Sequence, residues 1–284
     1  MKFSLVMATL GRDKETALFL ESLKNQTYTN YELIIVDQNK DDRIDKIVSS
    51  YNLNITLIKS SIKGGSYNRN IGIKRITGDI IGFPDDDCEY EPDTLKKIAD
   101  FFNENAGYSI YTCNTKDKYK CGSVFRGLKK DCNINLFNFL NTGIFFSMFF
   151  RKEALSDFSL DERLGVGTYF GSGEESDLLL YLLYKKLKGR YFANNFIFHP
   201  AKKELLPQRV VTYSLGHGAM FRKAICVYKF YILFFIYIYR LIPYLIKSVL
   251  MPGNKIVKAI VRGRIKGFLE YKHTPQKQDG VLSI

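Results

Sequence analysis

The sequence predicts an α/β fold built on a parallel sheet, followed by a basic, aromatic helical region. Three observations predict it. Short, nearly all-apolar runs alternate with helical patterns through the first hundred residues, polar and acidic residues gather where those runs end, and the composition changes abruptly near Arg222. A chain of 284 residues suits one large core, or one domain with a smaller appendage.

The runs Phe3–Ala8, Leu33–Val36, Ile55–Ile58 and Ile80–Phe83 read as strands. They are apolar throughout, as strands covered on both faces must be. Between them lie a helix carrying Ala17, Leu20 and Leu23, a second over 44–50 and a third over 67–76. Pro92-Asp93-Thr94 opens a fourth, with Leu95, Ile98, Ala99 and Phe102 at helical spacing. Alternation of this kind implies a parallel sheet, whose ligands bind beyond the carboxyl ends of its strands.

Chemistry-bearing residues sit at those ends. The first strand ends in Thr9-Leu10-Gly11-Arg12, the second in Asp37-Gln38-Asn39, and the fourth in Asp85-Asp86-Asp87. Neighbouring ionised carboxylates ~4 Å apart repel by ~4 kcal/mol at an effective dielectric of ~20, and by ~1 kcal/mol in water. A solvated acidic turn is therefore one reading of the triplet. The other is a site for a hard divalent cation, Mg²⁺ or Mn²⁺, of the kind that bridges carboxylates to phosphates. Asp37, Arg69 and the triplet together suit a nucleoside diphosphate. No Gly-x-Gly-x-x-Gly follows the first strand and no Walker sequence occurs, which speaks against dinucleotide and P-loop sites.

A second cluster is Gly171-Ser172-Gly173-Glu174-Glu175-Ser176-Asp177, running into the apolar Leu178–Leu187. Acids at a helix start are favoured by the macrodipole and by capping, so complementation of the dipole competes with a catalytic reading. The two glycines call for close approach or positive φ. Gly143–Phe150 reads as a further strand with a short helix from Arg151, and Tyr191–Phe198 as another, carrying His199 at its end as a structural residue or a reach toward metal. Residues 114–140 read as a surface excursion or an acceptor-side loop.

The formal charge is +13, and it is local: residues 222–273 hold eleven Lys/Arg and one acid, a net of +10. Lys229, Arg240 and Lys247 interrupt the apolar stretch 225–250, and the longest uncharged run, Phe230–Tyr239, falls short of the ~20 residues of a transmembrane helix. Aromatics beside snorkelling cations suit a segment lying on an anionic membrane surface; a buried helical pair with a solvated basic face is the rival. No nucleic-acid motif accompanies the charge. Arg222 and Lys223 read as contacts for donor or lipid phosphate. Five scattered cysteines without Cys-x-x-Cys spacing, and an N-terminus that passes directly into a strand, suit the cytoplasm.

Taken in order and spacing, Ser4–Thr9, Glu32–Asp37, Arg69-Asn70-Ile71-Gly72, Gly78–Ile81 and Asp85-Asp86-Asp87 resemble the family 2 glycosyltransferases with a GT-A fold. The likeness covers roughly residues 1–200. The chain departs from it at Ala8–Arg12, where Pro-Thr-Tyr-Asn-Arg is commoner, and at Asp37-Gln38-Asn39, where many members have Asp-Asp-Gly. The resemblance implies a GT-A catalytic domain over 1–205 and a membrane-associating region over 206–284. It implies Thr9, Arg12, Asp37, Arg69, Asp85 and Asp86 near the nucleotide, and Asp87 with Asp85 on Mn²⁺ or Mg²⁺, His199 being a further candidate ligand. Glu175 is the expected general base, with Asp177 as fallback and Glu174 beside them. Inverting transfer from a nucleotide-sugar donor, a UDP-sugar first of all, to a glycan or lipid-linked acceptor follows, at the inner face of the cell membrane and with no role for nucleic acid. Alternatives are a sugar-nucleotide pyrophosphorylase, and a membrane-peripheral module that binds nucleotide-sugar without turnover.

Overall fold

The computed structural model describes residues 1–118, 127–201 and 207–272. The described residues of 1–160 and 178–205 form one compact unit, and those of 161–177 and 206–284 a second. Residues 161–177, grouped with the first domain by the sequence reading, thus cluster with the C-terminal region.

The first unit holds an eight-stranded sheet. In chain order its elements are β1 (Phe3–Thr9), α1 (Lys14–Lys24), β2 (Tyr31–Asp37), α2 (Arg43–Val48), β3 (Ile55–Lys59), α3 (Gly65–Ile73), β4 (Ile80–Gly82), α4 (Thr94–Glu104), β5 (Ile110–Lys116), β6 (Cys132–Asn133), β7 (Met148–Arg151), α5 (Glu174–Tyr184), whose first turn through Asp177 belongs to the second unit, and β8 (Gly189–Phe198). The spatial order is β3-β2-β1-β4-β7-β5-β8-β6. The first four neighbours are parallel; β7 runs antiparallel to β4 and β5, so the sheet is mixed.

Burial follows the periodicities. Phe3, Leu5, Val6, Met7, Leu33 and Ile35 are fully buried in the sheet, and α4 buries Leu95, Ile98, Ala99 and Phe102. Gly72 is required by close approach: a Cβ there would lie 2.4 Å from Val6 Cγ1, so only glycine lets α3 press against β1.

The segment 143–150 is shorter as a strand than its composition implies. Residues Phe145–Ser147 form a 3₁₀ turn and only Met148–Arg151 pair with the sheet. The Ser147 hydroxyl accepts from Ile144 N and donates to Ile144 O, a local bond that competes with the ladder. Strand β5, within a region that the sequence left largely unread, bonds to both β7 and β8.

The second unit is helical: α6 (Pro207–Cys226), α7 (Ile232–Leu250) and α8 (Lys255–Glu270). Helices α6 and α8 pack backbone to backbone because small residues face each other; a Cβ on Gly267 would sit 2.0 Å from the Leu215 carbonyl oxygen. The apolar stretch is not one helix from 225. The chain breaks with Lys229 at φ +60, and α7 begins beyond it. Nineteen residues span about 28 Å, with only Arg240 and Lys247 inside. By length and composition alone α7 is long and apolar enough to cross a bilayer, and it is equally compatible with lying on one; 17% of the span is buried in the protein.

Glu32 ties β2 to the chain start and to the turn before β4. It accepts from Lys2 Nζ, Ser4 Oγ and Thr77 N at 2.6–2.7 Å. Burial works against its ionisation, but these donors prevail and lower its pKa to about 2. A depressed carboxylate pKa adds stability above the unfolded value of about 4.3, and that contribution disappears as pH falls toward 2. Glu32→Gln should therefore lower stability by about 1–2 kcal/mol at pH 7, with the difference from wild type closing as pH falls from about 4.3 to 2. Urea titrations across that range measure it.

Candidate functional site

The strand register assembles the first cluster. Thr9 pairs with Asp37, and Asp37 with Lys59, so β1, β2 and β3 end abreast. Leu5 pairs with Gly82, which carries the acidic triplet to the same edge.

Each carboxylate has a designated cation or donor. The Thr9 hydroxyl donates to Asp86 Oδ2 at 2.7 Å, and Arg12 Nη1 donates to Asp86 Oδ1 at 2.7 Å and also contacts Asp87. Arg69 Nη2 meets Asp85 Oδ1 at 2.7 Å, with its guanidinium 4.4 Å from the centre of the Phe145 ring. Asp37, fully buried, accepts from Asn39 N and Nδ2 and from Lys59 Nζ at 2.7–2.8 Å. Burial pushes the Asp86 pKa up, against the pull of Arg12 and Thr9. Thr9, Arg12, Asp37, Arg69 and the triplet are thus brought together, and Asp86 serves to moor the triplet to β1.

His199 joins them through backbone pairing. Glu89, two residues past the triplet, forms an antiparallel bridge with Phe198, which sets the His199 ring beside Asp87. Its Nε2 lies 2.9 Å from Asp87 Oδ1 and its Nδ1 2.8 Å from the Pro200 carbonyl oxygen. The ring stacks on Phe146, with centroids 4.5 Å apart and planes 9° apart. Because a carbonyl only accepts, a ring proton belongs on Nδ1. Nε2 then meets the carboxylate either with a second proton or with a cation shared between them. Burial lowers the imidazole pKa, but Asp87 outweighs it and the net shift is upward.

Ligand atoms of Asp85, Asp87 and His199 all lie within 4.8 Å of one another. Two carboxylates and an imidazole held by a carbonyl are a donor set that could hold a divalent cation such as Mn²⁺ or Mg²⁺.

The acidic residues of the second cluster begin α5. Gly173 has φ +99, the left-handed conformation that its place before the helix calls for. Glu174 is buried and Glu175 half-buried; Glu175 has no hydrogen-bond partner among the described residues. Asp177 differs. It is buried, bonded to Lys223 Nζ at 2.6 Å and to the Tyr228 hydroxyl at 2.9 Å. Lys223 lies 3.4 Å from Asp161, which Arg163 and the Tyr271 hydroxyl also hold. Burial raises the Asp177 pKa against Lys223, while at Asp161 the Arg163 fork and Lys223 overcome burial and lower it. Lys223, read from sequence as a phosphate contact, is therefore spent on two buried carboxylates. Arg222 lies over the Phe268 ring.

Sequence reasoning missed Lys59, Phe145, Phe146, Asp161 and Tyr228. Lys59 carried a signal, a lysine at the end of the strand beside Asp37. The aromatics carried none, because any core strand would show them.

Comparison with known proteins places this arrangement. Over 171 residues, 57% of this chain and 55% of the relative, it is 26% identical to a GalNAc(5)-diNAcBac-PP-undecaprenol β-1,3-glucosyltransferase of Campylobacter jejuni. Over 37% of this chain and 19% of the relative, it is 31% identical to the poly(ribitol-phosphate) β-N-acetylglucosaminyltransferase TarS of Staphylococcus aureus. The chain thus spans about half or less of the length of these relatives. Among solved structures, S. aureus TarS 1–349 in complex with UDP-GlcNAc superposes with a TM-score of 0.62 at 18% identity, covering 78% of this chain and 66% of that one. A mannosyltransferase of Pyrobaculum calidifontis in complex with GDP-Man and Mn²⁺ also gives 0.62, at 14% identity, covering 79% and 64%. These likenesses carry the fold, the expected GT-A arrangement. Residues 4–158 match the model of glycosyl transferase family 2, more than half of the chain, and the chain belongs to that family.

Proposed function

We propose that the protein is an inverting glycosyltransferase that moves a sugar from a nucleoside diphosphate donor to a hydroxyl of a lipid-linked glycan, in the synthesis of a bacterial surface polysaccharide. The observation that carries this reading is the convergence of Asp85, Asp87 and His199 at the carboxyl edge of parallel strands, flanked by Arg12 and Arg69. That edge is where α/β sheets bind nucleotides. The complexes of fold neighbours with UDP-GlcNAc and GDP-Man support a nucleotide-sugar donor, with a UDP-sugar the first to test.

In this reading Asp37 and Arg69 orient the nucleotide, and Thr9 and Arg12 hold the triplet in place through Asp86. Held by Asp85, Asp87 and His199, a divalent ion would supply positive charge to the departing diphosphate. Glu175 takes the proton of the acceptor hydroxyl as it attacks the anomeric carbon from the face opposite the leaving group, and one displacement inverts that centre. Asp177 is a poor alternative base, since both its oxygens are engaged by Lys223 and Tyr228. The pyrophosphorylase alternative has no comparable support, because its glycine-rich signature is missing after β1. The exposed apolar residues of α7 and the positive charge of 222–273 support attachment at the inner face of the membrane.

Three outcomes follow. Glu175→Gln should lower transfer by about 10²–10⁴-fold, as loss of a general base does, and leave nucleotide-sugar affinity within a small factor; full activity would overturn the assignment. Chelation by EDTA should weaken nucleotide-sugar binding measured by calorimetry, with Mn²⁺ restoring it in wild type and failing to do so in Asp87→Asn. Salt should release the protein from anionic vesicles; resistance to both salt and alkali would show an integral helix instead.

A further inference from the structure

Within the second unit, helix α8 lines a cavity of about 540 Å³, in the range of small-molecule sites of roughly 300–1,000 Å³. Val211, Leu215, Ala259 and Gly263 contribute to its nearly all-apolar lining, and the half-exposed Tyr169 completes a wall. Four cationic side chains also line it, through their alkyl stems: Lys255, Lys258, Arg262 and Lys266. Their spacing of three, four and four residues puts them along one face of the helix.

Among the described residues most of that charge is uncompensated. Lys266 has Glu270 at 3.8 Å and the Tyr169 ring at 5.7 Å, whereas Lys255, Lys258 and Arg262 have no carboxylate partner among the described residues. Like charges three or four residues apart on a helix destabilise it. An apolar hollow has no use for them in folding. A solvated basic face would explain the cations but not the hollow, and a core void would explain the hollow but not the cations. An amphiphile with an anionic head and a hydrocarbon body accounts for both. Next to this helix, α7 presents Phe235, Tyr239, Ile246 and Val249 to the outside, more than half exposed, and the two helices join through Arg264 Nη1 on the Arg240 carbonyl and the stacked Tyr237 and Phe268.

We infer that this cavity binds a phosphate-bearing lipid, with the hydrocarbon on the Val211–Leu215–Ala259 floor and the phosphate on Lys258 and Arg262. It deepens the proposed function by giving a lipid-linked acceptor a place on the chain, and it rests on that reading for the identity of the lipid, though not for the chemistry of the site. The same chemistry could come from the acceptor's polyprenyl phosphate or from a bulk anionic phospholipid.

The test is binding to the full-length protein by calorimetry in neutral detergent micelles, using a polyprenyl monophosphate, the matching polyprenol, phosphatidylglycerol and inorganic phosphate. The polyprenyl phosphate should bind, with a loss of at least tenfold in the double variant Lys258→Glu/Arg262→Glu and again in Ala259→Phe, which fills the hollow without changing charge. Both variants should keep the wild-type melting temperature and nucleotide-sugar affinity. Tighter binding of polyprenyl phosphate than of phosphatidylglycerol assigns the site to the acceptor; equal binding assigns it to the bilayer, and either outcome upholds a phospholipid site. Equal affinity for polyprenol, equal affinity of inorganic phosphate, or variants indistinguishable from wild type would overturn it. So would preferential binding of a short RNA in the same assay. Failure of Glu175→Gln to affect transfer would leave this result untouched, so the two readings fail separately.

Discussion

Like-charge repulsion at the carboxyl edge of the sheet is the constraint that orders the first unit. Parallel strands that end abreast deliver Asp37 and three successive aspartates to one place, and a buried cluster of that kind would oppose folding unless each charge were met. The answer is stepwise. Lys59 neutralises Asp37 from the neighbouring strand, Arg12 spans Asp86 and Asp87, and Arg69 reaches Asp85 from a helix that only a glycine lets close enough. Asp86, its side chain about as buried as that of Asp87, takes the neutral donor Thr9 as well. Beside the paired Asp85 and Asp87 stands the His199 imidazole, between a carbonyl and a carboxylate. Each aspartate of the triplet thus has an arginine against it, and ligand atoms of Asp85, Asp87 and His199 still converge within 4.8 Å of one another.

The second unit uses the same device in its interior. Asp177 and Asp161 share Lys223, and two tyrosine hydroxyls and the Arg163 fork close the network. Removing one partner of such a group costs far more than the group contributes, since a buried charge is left unmet. Its consequence for chemistry is positional. The network fixes Asp177 in the first turn of α5, and with it the rotation of the helix start. Glu175 lies two residues earlier, about 200° around the helix, so a carboxylate anchored inward at 177 turns the one at 175 to the other side. The sequence offered both as bases; only one of them retains free oxygens.

Much of this was legible because parallel sheets write their strands as apolar runs and their sites at the ends of those runs. Thr9, Asp37 and Asp85–Asp87 could be placed from that rule, and Arg69 from its company with Gly72. His199 could be named but not placed, since its approach to Asp87 depends on a bridge between Glu89 and Phe198, more than a hundred residues apart. Lys223 was misread for a related reason: a lysine in a basic stretch looks solvated, and only the fold brings it to two buried aspartates. The strand over 143–150 was overextended because Ser147 folds back on Ile144, a choice that hydrophobic pattern does not encode. The break at Lys229 takes one charge out of α7, which the composition of the stretch alone does not show.

The two units thus meet opposite electrostatic problems in opposite ways. In the first, carboxylates are crowded and every cation nearby has a partner to satisfy. In the second, the aspartates are satisfied inside, and α8 still carries a row of cations, three of which have no acid to answer them among the described residues. Folding does not require that excess, and a helix bears a small penalty for it. Charge without an acid among the described residues is what the proposed anionic ligand would meet, and the composition of its surroundings narrows what that ligand is. Nucleic acid would be served by cations among polar residues and stacking aromatics aligned in a groove. Here the neighbours are Val211, Leu215 and Ala259 around a hollow and the exposed aliphatic face of α7, surfaces that gain by leaving water. Charge and apolar area are separately unremarkable; side by side on one unit they describe the two ends of an anionic lipid.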